Sequence, residues 1–153
     1  MRRRAFILAL GGTAAAWPLA ARAQQADRVR RIGIVLPYAK EDAEWGARVL
    51  EFKQELGKLG WTDGGNVQFD ERWTTDNMDI VRAEAASLVA SSPDIVVAAG
   101  GRVVPILMRL SGSIPMVIPG ASDPVGVGWV KSLARPGGNV TGFTLFELSI
   151  LGK

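Results

Sequence analysis

The apolar positions of this chain change period repeatedly, from short near-continuous runs to intervals of three and four and back again. Arg31-Ile32-Gly33-Ile34-Val35-Leu36 is such a run and predicts a first strand. From about Asp42, the residues Trp45, Val49, Phe52, Leu56 and Leu59 recur at helical spacing and share one face of a helix that Gly60 stops. Val67 to Trp73 mixes alternating apolar positions with Gln, Asp and Glu, which predicts a half-exposed strand at a sheet edge. Asp76 or Asn77 can cap a second helix, whose Val81, Ala85, Leu88 and Val89 share a face until Ser91-Ser92-Pro93 ends it. Asp94 to Ala99 predicts a central strand buried on both sides. Gly100-Gly101 then turns the chain into a third helix with Val103, Leu107 and Leu110 inward and Pro105 in its first turn. Pro115 to Ile118 and Val140 to Phe143 are the fourth and fifth strands, and the apolar stretch Val125 to Leu133 between them is long enough for about two helical turns. Strands that alternate with helices in this way predict an α/β fold, a parallel sheet of about five strands sandwiched in three layers.

The chain before the first strand is of another kind. Arg2, Arg3 and Arg4 precede a mildly apolar stretch, Ala5 to Ala20, rich in Ala and Gly and short of the roughly 20 apolar residues that a stable span needs. Pro18 breaks it just before Ala21-Arg22-Ala23, whose small residues at alternate positions suit a signal-peptidase pocket. Residues 1–23 therefore predict a signal cleaved after Ala23, an exported periplasmic product beginning at Gln24, and no stable membrane span. Arg3-Arg4-Ala5-Phe6-Ile7 looks like a twin-arginine signal, with a general secretory signal as the alternative. No cysteine follows the cleavage site to carry a lipid.

Removal of that segment changes the meaning of the composition. The full chain has 18 Lys+Arg against 15 Asp+Glu, and four of those arginines precede Gln24, so the remainder has a net charge of −1. No basic patch is left to argue for nucleic acid. The chain has no histidine and no cysteine, which removes the usual proton shuttle near neutral pH and the usual thiol nucleophile. Glu41, Asp42 and Glu44, and again Asp76 and Asp79, gather at helix starts, where acidic residues are ordinary partners of the helix dipole. No catalytic residue, metal ligand or cofactor is expected.

Open α/β sheets bind small molecules beyond the carboxyl ends of their strands. Three loops qualify. Pro37 and Tyr38 follow the first strand, and Tyr38 offers a flat apolar body with a polar tip, for a ligand or for its own loop. Gly100 and Gly101 follow the third, leaving backbone N–H groups uncovered at a helix start or simply making a tight turn. Arg102 beside them could pair with a carboxylate or stay a solvated surface charge. Ser122 and Asp123 follow the fourth, where Asp123 can accept from a ligand amine or from the N–H groups of its own turn.

Ser122-Asp123-Pro124-Val125-Gly126 and Leu133-Ala134-Arg135-Pro136-Gly137-Gly138-Asn139-Val140-Thr141-Gly142-Phe143 carry a resemblance that extends from about Arg31 to Gly152. In order and spacing they resemble the exported substrate-binding proteins of ABC transporters, of the tryptophan/tyrosine type. The resemblance implies a Rossmann- or flavodoxin-like lobe of the type I periplasmic-binding-protein kind over 24–144. It also implies a small-molecule ligand, an amino acid by class, and delivery to a membrane permease. Residues 145–153 look like the start of a crossover into a second lobe that is absent, so the chain is expected to be truncated or split and to bind weakly by itself. Arg102 departs from the family, where a small or hydroxyl residue is commoner, and Arg135 to Asn139 read as a shaped connection. A small flavodoxin-like or receiver-like module is the alternative, but a receiver needs acidic residues where this chain has Pro37-Tyr38 and Gly100-Gly101.

Overall fold

The computed structural model describes residues 28–145. The signal expected at 1–23 lies outside them, as does all of the expected crossover beyond Leu145. Five strands, β1 (Arg30–Leu36), β2 (Val67–Trp73), β3 (Ile95–Ala98), β4 (Met116–Ala121) and β5 (Val140–Thr144), alternate with α1 (Ala43–Lys58), α2 (Met78–Ala90) and α3 (Val103–Leu110). All strand pairs are parallel, in the order β2-β1-β3-β4-β5, so β2 is an edge strand as its mixed pattern predicts.

The helices begin where the capping chemistry places them. The Asp42 carboxylate accepts from Glu44 N at 3.1 Å and Trp45 N at 3.0 Å, and the Asn77 side chain accepts from Asp79 N at 2.9 Å and Ile80 N at 3.3 Å. Two apolar clusters fill the space between the layers. Val81 and Leu88 of α2 and Val103 and Leu107 of α3 pack with Val35, Val96 and Ile118 on one sheet face. Val49 of α1 packs with Ile34, Leu36 and Ala99 on the other. The largest fully buried side chains include Ile34, Leu36, Leu88, Leu107 and Ile118, each contributing about 1.5–3 kcal/mol by burial.

Charged pairs fasten the sheet at its margins. The Asp94 carboxylate accepts from Arg31 N at 2.9 Å and from Arg30 Nη1 at 3.1 Å and pairs with Arg28 at 3.0 Å, tying the start of β3 to the start of β1. On the edge strand, Glu71 meets Lys53 of α1 and accepts from Trp73 Nε1 at 3.0 Å. Burial opposes the charge of Glu71, but those hydrogen bonds and the nearby lysines outweigh it and hold the carboxyl below its ordinary pKa.

Four expectations need correction. Val125 to Leu133 form no helix: Val127 N bonds Asp123 O, but Gly128 then takes φ +77° and Trp129 and Val130 both donate back to Pro124 O, ending the coil after one turn. Leu59 is 76% exposed and Leu110 is 43% exposed, because each falls at the end of its helix, past the layer it was expected to meet. β3 is fully buried on one face and only partly on the other: Val96 and Ala98 are covered, Ala99 just beyond is buried against α1, but Val97 is half-buried and lines an open groove. β4 runs on to Ala121 with Pro119 inside it, which is tolerated because β3 pairs only as far as Val117 and the β4–β5 ladder is irregular between Ile118 and Ala121.

At that irregularity a Cβ on Gly142 would lie 2.1 Å from Ile118 O, closer than any side chain can sit. Gly142→Ala is therefore expected to pry β5 from β4 and cost about 1–3 kcal/mol, read as a lowered urea midpoint, and an unchanged midpoint would contradict this close approach. A second expectation concerns acid. The backbone N–H of Arg31, joined by Arg30 and Arg28, outweighs burial and holds the Asp94 pKa below its ordinary 3.8. A depressed carboxylate contributes stability that is fully present above the unfolded-state value and lost as pH falls through the folded-state one. Asp94→Asn should accordingly lower stability at pH 7 and flatten its decline below about pH 4, measured by urea titration across pH.

Candidate functional site

The strand order reverses at β1: the chain leaves it for β2 on one side, then crosses back to β3 on the other. The crevice beyond the carboxyl ends of β1 and β3 is thus the switch point at which open α/β sheets receive ligands. The two loops there touch. Gly100 takes φ +85°, and a Cβ on it would lie 2.8 Å from Pro37 Cγ, so only glycine lets the loops close to this distance. A Cβ on Gly101 would lie 3.6 Å from Cη2 of Trp129, which brings the segment after β4 to the same rim.

The remaining expected residues are placed as follows. Tyr38 is half-buried, its ring stacked on Trp45 with centroids 4.3 Å apart and planes 17° from parallel, and the Arg48 guanidinium lies 4.9 Å from the Trp45 centroid. Ser122 is exposed. The Asp123 carboxylate accepts from Gly126 N at 2.7 Å, an Asx-type turn that commits one oxygen to its own loop. Arg102 stands at the N-cap of α3, makes no capping hydrogen bond, and reaches across to Asp76 after β2 at 3.7 Å. The structure therefore brings Pro37 and Gly100 into contact, with Gly101 next to them, and links Ser122 and Asp123 to this region only through Trp129 of the separately closed turn that follows them.

Three features of this rim were not singled out by sequence reasoning. Trp129 sits among exposed glycines, an unusual place for an indole, and that was the available signal. Thr74 is fully buried, its hydroxyl donating to Leu36 O at 3.1 Å and its N–H to the same oxygen at 2.9 Å, so it locks the end of β2 to the end of β1. Thr75 follows with φ +57°, a left-handed conformation that is an outlier for a β-branched residue, while its N–H donates to Tyr38 O at 3.4 Å. Neither threonine lies in a pattern that announces such a role.

Chemically the rim offers flat apolar surfaces, Pro37 and Trp129, exposed backbone at Gly101, and a cation, Arg102. Among the described residues no group of three His, Cys, Asp or Glu could hold a metal ion, and no helix is long and apolar enough to cross a membrane. A separate open groove of about 360 Å³ runs along the α1 face between Phe52, Val97, Val117 and Phe143. Phe143 is 71% exposed there.

A parallel α/β lobe with its loops gathered at the switch point is a fold that occurs in small-molecule-binding proteins. The chain belongs to the ABC transporter substrate binding protein family, whose pattern it matches over residues 41–149. It is 31% identical over 91 residues to a tyrosine-binding protein of Clostridioides difficile strain R20291, covering 60% of this chain and 26% of that protein. Its fold is similar to that of an ABC domain from Streptococcus pneumoniae in complex with L-Trp, with a TM-score of 0.67, 25% identity, and coverage of 76% of this chain and 38% of that one. It is similar also to a ligand-free, open substrate-binding protein with adhesive properties from Clostridium difficile, with a TM-score of 0.69, 29% identity, and coverage of 78% and 40%. The chain thus spans about a quarter of the curated relative and about two fifths of these solved ones.

The Thr74 lock makes a local claim. Thr74→Val keeps the shape and removes the hydroxyl, and is expected to cost about 1 kcal/mol. Hydrogen exchange should quicken at the Thr74 and Thr75 amides while α2 is unchanged; equal acceleration in both would show that the hydroxyl has no special hold on the rim.

Proposed function

We propose that this lobe supplies half of the binding cleft of an exported solute receptor, with an amino acid as its small-molecule ligand and an ABC permease as the membrane partner of the full receptor. The observation that carries the reading is the family pattern over residues 41–149 falling on a lobe whose first and third loops meet at the switch point. The amino-acid class is supported by the tyrosine-binding relative and by the relative solved with L-Trp. Periplasmic location is supported by the signal pattern of residues 1–23, and a non-enzymatic role by relatives that are binding proteins.

On this reading Pro37, Tyr38, Gly100, Gly101 and Arg102 form the ledge on which the ligand rests, with Ser122 and Asp123 beside it. A second lobe closes over the ledge by a hinge motion, and water is excluded only when both contribute. A ledge open on one side leaves much of the ligand hydrated. Affinity of the lobe by itself should then be on the order of millimolar or worse, equivalent to about 4 kcal/mol.

Calorimetric titration with L-tyrosine, L-tryptophan and L-leucine, accompanied by amide shift mapping, tests this. Weak saturation with shifts confined to Tyr38, Gly100 and Gly101 is expected. Micromolar affinity would show that no second lobe is needed, and shifts located away from these loops would remove the ligand from the rim.

A further inference from the structure

We infer that Arg102 is the rim's receptor for an anionic group of the ligand, and that Asp76 occupies it until the ligand arrives. This deepens the reading above and rests on it. The carrier is the pairing itself. At 3.7 Å, Arg102–Asp76 is the longest ion pair among the described residues, and no hydrogen bond accompanies it. The other arginine pairs are closer: Arg72 forks onto Asp70 at 2.7 and 3.0 Å and reaches Glu84 at 2.9 Å, Arg82 reaches Asp79 at 2.8 Å, and Arg30 reaches Asp94 at 3.1 Å. A guanidinium has five donors in a fixed fork that matches a carboxylate, and for Arg102 none of them makes a hydrogen bond among the described residues.

The pair also spans the site. Asp76 follows β2 and Arg102 follows β3, and β1 lies between those strands, so the two side chains meet across the loop that carries Pro37 and Tyr38. Both are open to solvent, at 66% and 91% side-chain exposure, where a loose ion pair contributes little and exchanges readily. Arg102 is in addition poorly placed for stability. It sits at the positive end of α3, whose first turn contains no acidic residue, whereas α1 and α2 carry Glu44 and Asp79 there. A cation held against a helix dipole, with its fork unspent and flat apolar surfaces beside it at Pro37 and Trp129, suits a ligand with a planar apolar body and a carboxylate. The ligand carboxylate displaces Asp76 and gains the bidentate geometry that Asp76 does not reach.

The test uses the 153-residue chain and sodium acetate as the probe, titrated against sodium chloride at fixed ionic strength. NMR follows the Arg102 Nε–H signal, with Arg109 of the same helix as an internal control. A saturable shift at Arg102 and not at Arg109 is expected, with the half-point lowered by about threefold or more in Asp76→Asn, because the internal competitor is gone. An Arg102 signal that only drifts as Arg109 does, or half-points equal in the two proteins, overturns the inference. Comparison of L-tryptophan with tryptamine, which lacks the carboxylate, separates this from the broader reading. Binding of L-tryptophan that falls about tenfold in Arg102→Gln, with tryptamine unaffected, supports it. Equal binding of the two compounds overturns it and leaves the half-receptor reading standing. Failure to bind either sinks the amino-acid reading, and the acetate titration still decides Arg102. In the absence of ligand, Arg102→Ser should raise the melting temperature by about 1–3 °C, since it relieves the helix dipole. A fall of similar size would mark Arg102 as structural and overturn its assignment as a receptor.

Discussion

The rim exists because β1 is paired along both of its edges. It meets β2 from Arg30 to Leu36 and β3 from Ile32 to Val35, all in parallel, so three strands finish at one level and the loops that leave them emerge side by side. Parallel pairing requires each connection to return along the sheet, which sends α1 to one face and α2 and α3 to the other. Apolar residues on both faces of β1 follow directly: Ile34 and Leu36 point to the α1 cluster, Val35 to the opposite one. A polar residue at any of these three positions would leave one layer without its seat.

The same pairing explains where tension is tolerated. Leu36 O is the last acceptor of β1 and takes two donors from Thr74, which fixes the height of the Pro37–Tyr38 loop. Once that height is fixed, Gly100 must pass close to Pro37, and only a residue without a Cβ can do so at φ +85°. Thr75 takes up an unfavourable conformation just after the lock. Strain and close approach therefore gather at the carboxyl edge of the sheet, while the amino edge is held by ordinary ion pairs such as that of Asp94 with Arg28 and Arg30.

Much of this was legible because strands and helices write their periods into adjacent residues. Val81, Ala85 and Leu88 share a face by spacing alone, and all three are buried. The misreadings have local causes of two kinds. Val125 to Leu133 is apolar enough for a helix, but Gly126 and Gly128 leave the backbone free to turn out of one, and side-chain hydrophobicity does not register that. Val97 reads as buried because its neighbours are, yet its burial depends on what covers the α1 face between β3 and β5, a matter that strand sequence does not encode. For the candidate site, topology pointed to the loops after β1, β3 and β4, and those after β1 and β3 do meet. It was not enough to show that Trp129 leans onto Gly101 or that Asp76 reaches Arg102, since β2 and β3 are not neighbours in the sheet and their loops meet only after it has assembled.

In a lobe like this the packed faces and the loops at the sheet's carboxyl edge are separate parts. Among the described residues, α2 and α3 cover one face of the sheet as far as β4, while α1 is the one helix packed on the other, where Phe143 stays exposed. The candidate binding loops lie on neither face. They lie on the edge between the two, where backbone position is fixed by β1 while the side chains of Arg102, Ser122 and Trp129 remain partly or wholly open. A rim of this kind can change its ligand by changing loop side chains without disturbing the pairing beneath, which is how one α/β scaffold supports many specificities.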